Sequence, residues 1–168
     1  MSTPACPTCG RPLDLHDRHV RMKLPDPVLA VPEEDRASRT LGRDPLIQVQ
    51  GVGAFVRVLL PIRLTGGYSL TVGTWLAIDP ANLRSVWEEW IKDDYSSLVL
   101  DGFLANAIPP WGEAVLSAPA TATVRDPKLN PYITASPHPV LGEVLATEWP
   151  HEDVLAPYEG LLEHAGHG

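Results

Sequence analysis

The chain has 168 residues, enough for one ordinary domain with its own core. Hydrophobic residues make up 44% and charged residues 20%, which excludes a disordered chain, and no apolar run reaches the roughly 20 residues that a membrane span needs. The formal charge of −8 opposes non-specific binding to nucleic acid, whose affinity rests on neutralised phosphates.

The first residues, Met1-Ser2-Thr3-Pro4-Ala5-Cys6, lack the basic and apolar regions of a secretory leader, so a cytoplasmic protein is expected. Residues 1–30 form a Cys-containing, proline-rich segment. Its chemical motif is Cys6-Pro7-Thr8-Cys9-Gly10. Two thiolates at this spacing grip one metal ion, and a structural zinc site needs four ligands. His16 and His19 are the nearest residues to complete the set Cys6, Cys9, His16 and His19. Their His–His gap is shorter than in the common finger, and His138, His151, His164 and His167 are remoter candidates. Two other readings stand beside the zinc knuckle: an ordinary reduced pair near a mobile terminus, or a redox pair.

His19–Leu24 alternates as a short strand does, and Pro25, Pro27 and Pro32 predict an extended passage. Pro32–Arg39 reads as a short helix, with acids in its first turn and bases in its last. Leu46–Gln50 predicts a strand. Phe55–Leu64 and Tyr68–Ile78 then predict a hairpin around Thr65-Gly66-Gly67, with a bulge at Gly73. Asp79 caps a helix that Pro80 opens. Leu83, Val86, Trp87, Trp90 and Ile91 fall on one stripe of that helix, which predicts that both tryptophans pack over the sheet.

Asp93–Ser97 is a polar break, and Leu98–Asn106 mixes strand and turn signals. Pro109-Pro110-Trp111-Gly112 is a loop whose Trp either binds or lies over the core. Ala120–Arg125 and Pro131–Ala135 predict two more strands about a turn at Asp126–Asn130. Residues 137–168 form an acidic helical segment, with one helix starting at Pro139 and another carrying Leu155, Tyr158, Leu161 and Leu162. No Lys or Arg follows Lys128, while Glu143, Glu148, Glu152, Asp153, Glu159 and Glu163 do. That surface either keeps the protein soluble or docks a basic partner.

No phosphate-binding glycine loop, H-E-x-x-H or G-x-S-x-G occurs. Catalysis would rest on Cys6, Cys9 or His138, and a histidine in the turn Ser136-Pro137-His138-Pro139 reads first as a surface or packing residue.

Several segments together resemble a family of small bacterial proteins known as domain of unknown function 2199: Cys6–Gly10, Val72-Gly73-Thr74-Trp75-Leu76 running into the Asn82–Trp90 helix, Gly102-Phe103-Leu104-Ala105-Asn106 with Pro109, and His138-Pro139-Val140. The family places a His soon after its second Cys; here Arg11-Pro12-Leu13 stand there. It has no established activity, so the resemblance carries over no catalytic residue.

The sequence therefore predicts a single α+β domain: a mostly antiparallel sheet with helices packed on one face and an N-terminal CxxC knuckle. The expected function is that of a small binding or interaction protein whose structural zinc, held by Cys6, Cys9, His16 and His19, replaces missing core at the proline-rich start. An immunity-type or regulatory protein docking a basic partner, and an enzyme using the Cys6/Cys9 pair, are the alternatives. Neither nucleic acid nor membrane is expected as a partner.

Overall fold

Residues 54–60 are buried one after another, so this strand is covered on both faces, and that accounts for its unbroken apolar run. The structure is a computed structural model, and it describes residues 17–43, 45–92, 96, 98–126, 129–155 and 157. In chain order the elements are β1 (Asp17–Arg21), α1 (Asp26–Leu29), α2 (Glu33–Arg39), β2 (Thr40–Arg43), β3 (Leu46–Val49), β4 (Gly53–Leu64), β5 (Tyr68–Ile78), α3 (Leu83–Trp90), β6 (Val99–Leu104), β7 (Pro119–Thr123), β8 (Tyr132–Ala135), α4 (Pro139–Ala146) and α5 (His151–Leu155).

The hairpin of β4 and β5 is the long ladder of the molecule, paired without interruption from Ala54↔Ile78 to Leu64↔Tyr68. Gly66 and Gly67 turn it with φ of 81° and 84°, which glycine adopts without a Cβ clash. The ladder then continues through β6, β7 and β8, and β8 returns to β4 in parallel at Leu59↔Tyr132. Strands β4 to β8 thus close into a small barrel. The predicted strands and their mostly antiparallel pairing are present, with parallel pairing at β1–β5 and β4–β8. An open layer with helices on one face is not what forms.

Closure sorts the side chains into two cores. Val56, Val58, Leu60 and Ile62 of β4 meet Leu70, Val72 and Leu76 of β5 in the main cluster, to which α4 adds Leu141 and Val144 and α5 adds Val154. The other face of the same hairpin carries Phe55 and Trp75. With Ile47, Val49, Ala105 and Val28 of α1 they form a second cluster outside the barrel wall. Helices therefore lie against both sides of the sheet. The apolar strand face accounts for this: a strand buried on one side only would not need α1.

Several local expectations change. Between Pro25 and Pro32 the chain is not wholly extended, because α1 forms there with Pro25 as its N-cap residue. Gly73 is not a bulge: it pairs in register with Leu59, and the irregularity falls at Thr121/Ala122 between β7 and β8. A strand the sequence did not suggest, β2, pairs with β3 and forms one edge of the sheet. α5, His151–Leu155, is a helix the sequence did not suggest, and Tyr158, Leu161 and Leu162 of the predicted second helix lie outside the described residues.

The tryptophan ridge is corrected most. α3 turns Val86 into the main core and lays Leu83 and Trp90 partly against it, while Trp87 is 49% and Ile91 61% exposed. Five apolar positions make a stripe wider than the barrel wall can cover, so one margin of it faces water. Trp111 packs against the core instead, edge-on to Trp149 with ring centroids 5.0 Å apart.

Candidate functional site

The uncovered margin of α3 forms one wall of a groove of about 680 Å³. The opposite wall is the β2–β3 hairpin: Leu41, Gly42, Pro45, Leu46 and Gln48 on one side, Pro80, Leu83, Arg84 and Trp87 on the other. Each wall has a local cause. Asp79 accepts the amide N–H of Ala81 at 2.9 Å, and Pro80 fixes the first turn, so the helix starts beside the end of β5. Gly42 has a φ of +81°, and a Cβ there would sit 2.6 Å from the Leu46 carbonyl oxygen. Only glycine lets the hairpin close so tightly. Leu41 on the outer strand is 70% exposed and lines the same groove as the half-exposed Trp87, so the two form a shared apolar patch. Gln48 lies opposite Leu41 across the hairpin. Size and lining both suit an apolar ligand of modest size.

A second constellation is polar and buried. Asn106, 2% exposed, accepts from the Thr74 hydroxyl at 2.8 Å and the Trp75 amide at 3.1 Å through Oδ1. Its Nδ2 donates to the Leu24 carbonyl and to Asp26 Oδ1, and Asp26 Oδ2 accepts the Ala107 amide at 2.7 Å. Next to it, Arg57 is 1% exposed, and its Nη1 donates to the carbonyls of Met22 and Gly73. Among the described residues every buried side-chain nitrogen or oxygen has a partner, so these groups are fully occupied in joining β5, the loop after β6 and the chain before α1. The arrangement holds structure together, and Arg57 also borders a hollow of about 350 Å³ with Val20, Gly73 and Asn130.

The residues picked out in the sequence fall as follows. Cys6, Cys9 and His16 lie outside the described residues, as do His164 and His167. His19 is on β1, in register with Thr71 of β5. His138 precedes α4, where its Nδ1 accepts from the amides of Val140 and Leu141 at 3.2 and 3.4 Å. That is an N-cap, the task Ser or Asp more often performs. His151 is buried; its Nε2 hydrogen-bonds the Thr65 carbonyl, and its ring meets Tyr68 edge-on at 5.3 Å. Among the described residues no three His, Cys, Asp or Glu side chains gather as they would around a metal ion, and no helix is long and apolar enough to cross a membrane. Of the acidic surface, Glu143, Glu148, Glu152 and Asp153 are exposed.

The groove was not found from sequence. Its walls come from segments some 40 residues apart, and Leu41 carries no local signal beyond being apolar. The one available sign was the excess width of the α3 stripe.

A family model described as an uncharacterized protein conserved in bacteria, DUF2199, matches residues 5–149. No curated protein and no solved structure matches the chain. Two of the segments that carried the resemblance now have a shared explanation. Thr74-Trp75 and Ala105-Asn106 are one hydrogen-bonded junction, in which the Ala105 amide also donates to the Trp75 carbonyl at 2.8 Å.

Proposed function

The chain belongs to this family of uncharacterized bacterial proteins, and we propose that it is a small binding protein whose ligand site is the groove between the β2–β3 hairpin and α3. The observation that carries the reading is the pairing of Trp87, half in water, with Leu41, mostly in water, across a cavity of about 680 Å³. Leaving both exposed forgoes part of the roughly 2 kcal/mol that full burial of a large apolar side chain is worth, which an apolar occupant would recover. The test is a titration with 1-octanol, followed by isothermal titration calorimetry. Saturable binding that Trp87→Ala abolishes supports the site. A linear, unsaturating response, or one unchanged in Trp87→Ala, refutes it.

The proposal extends to the amino-terminal segment, where Cys6, Cys9, His16 and His19 hold a structural zinc. Two thiolates and two imidazoles are a donor set that suits zinc. Elemental analysis of the purified protein tests this: one zinc per chain, lost in Cys6→Ser, is the expected result, and a metal-free folded protein rules it out.

A second reading is favoured by charge. All four described carboxylates among Glu143, Glu148, Glu152 and Asp153 are exposed, and no Lys or Arg follows Lys128. On this reading a basic partner, as for an immunity-type or regulatory protein, docks on α4 and α5 in the cytoplasm. Capture of that partner would then fall away as salt rises; capture unchanged at high salt counts against it.

A further inference from the structure

The class of ligand follows from what adjoins the groove, an inference that rests on the binding reading above. A smaller hollow of about 300 Å³ is lined by Ser38, Arg39, Leu41, Gln48 and Gln50. It shares Leu41 and Gln48 with the groove, and these two are cross-strand partners on the hairpin. The two spaces therefore meet along one pair of side chains.

Their chemistry is divided. Leu41, Leu46, Leu83 and Trp87 make the larger space apolar. The smaller one presents a guanidinium and two carboxamides. Among the described residues no carboxylate lines either space. In a chain of formal charge −8 this is a local reversal of sign, and it concerns Arg39 above all. The other arginine, Arg84, already has Glu88 at 3.2 Å. The backbone of Arg39 is anchored, its carbonyl accepting the Gln50 amide at 2.9 Å, and its side chain is exposed at the edge of the smaller hollow. Its fork of donors suits a planar carboxylate better than a point charge would.

We propose that the site takes an anionic amphiphile: an aliphatic tail between Leu41, Leu46, Leu83 and Trp87, and a carboxylate head at Arg39 with Gln48 and Gln50 beside it. The ligand is a free, water-soluble carboxylate. The trough is walled by a hairpin and one short helix, and it fits a single chain.

The experiment compares octanoate with 1-octanol on the full chain, by isothermal titration calorimetry, in wild type, Arg39→Gln and Trp87→Ala. Octanoate is expected to saturate at one molecule per chain and to bind more tightly than 1-octanol. Arg39→Gln should weaken octanoate about fivefold, the size of one partly exposed charge pair, and leave 1-octanol unchanged. Trp87→Ala should abolish both. An unaltered melting temperature in Arg39→Gln shows that the fold is intact. If 1-octanol saturates but octanoate binds no tighter, or if Arg39→Gln weakens both equally, the anionic head is wrong and the groove stands. If neither probe saturates, the groove itself falls. Binding of octanoate only as part of anionic vesicles would overturn the free-ligand proposal in favour of a membrane surface.

Discussion

The guanidinium carbon of Arg57 sits 4.2 Å from the centre of the Trp75 ring, and the two side chains donate to the same carbonyl oxygen, that of Met22. The pair are cross-strand neighbours on the outer face of the β4–β5 ladder. Arg57 thus stands in the covering layer of a barrel, flat against an indole, with its charge spread over backbone oxygens.

Replacing Arg57 by Met keeps much of the stacking volume and removes the donors. The carbonyls of Met22 and Gly73 lose a partner in a water-poor place, and the expected loss is about 3 kcal/mol of stability. Arg57→Lys should recover only part of it, because an ammonium has no flat face to lay on Trp75. Urea unfolding checks both: the midpoint falls and the slope stays constant.

Asn106 is expected to be less replaceable still. Asn106→Asp is nearly the same shape, but it cannot donate to the Leu24 carbonyl and it sets a second carboxylate beside Asp26, whose Oδ1 is 3.0 Å from the present amide nitrogen. The expected loss is about 3 kcal/mol or more at neutral pH. Thermal melts of the Asp and Ala variants side by side separate the repulsion from the missing donor.

Gly102 lies on β6 beside its last residue paired with β5, Phe103 opposite Ala77, where the two backbones run close. A Cβ there would lie 2.2 Å from the Ala77 carbonyl oxygen, so Gly102→Ala must push the strands apart, at about 3 kcal/mol. Gly51 is the control. It has a φ of +78° with nothing within 4 Å of a new Cβ, so Gly51→Ala should cost about 1 kcal/mol from backbone strain alone. Equal losses at the two sites would refute the argument from close backbone approach.

On α3, neighbours should behave oppositely. Trp87→Ala is expected to change stability by less than about 1 kcal/mol, because half of the ring is already in water. Val86→Ala should cost about 2 kcal/mol, as a core truncation does. Guanidinium unfolding of the two variants measures the difference directly.

His138→Ala removes the cap from α4 and should cost about 1 kcal/mol, with His138→Asn restoring most of it. Helical signal and melting temperature would follow together. A loss with Asn as large as with Ala would mean that the ring acts through packing and not through Nδ1.

How far the sequence could be read is clearest at β4, α3 and β2. The hairpin was legible because its apolar run, its two-residue period and its Gly-Gly turn are all local. Barrel closure was not, because it rests on one meeting, Leu59 with Tyr132, between segments more than 70 residues apart. Periodicity put five residues of α3 on one stripe and could not say that the wall covers only part of it. Thr40-Leu41-Gly42-Arg43 has neither alternation nor β-branched density beyond Thr40, and only its hairpin partner makes β2 a strand. For the groove the consequence is plain: a site made where one stripe is too wide and one strand is unannounced leaves no motif behind. Cys6, Cys9, His16 and His19 were legible as residue types with metal-ligand spacing, and elemental analysis tests whether they hold zinc.

The single seam between Leu59 and Tyr132 also bears on how the molecule is made. During synthesis β4 and β5 are available long before residue 132 leaves the ribosome, and the tube cannot shut until it does. For that interval the inward row of Val56, Val58, Leu60 and Ile62 is a greasy half-pipe with nothing yet to seal it, open to chaperones and to other nascent chains. A ribosome stalled shortly before Tyr132 would hold that row unsealed for as long as the stall lasts.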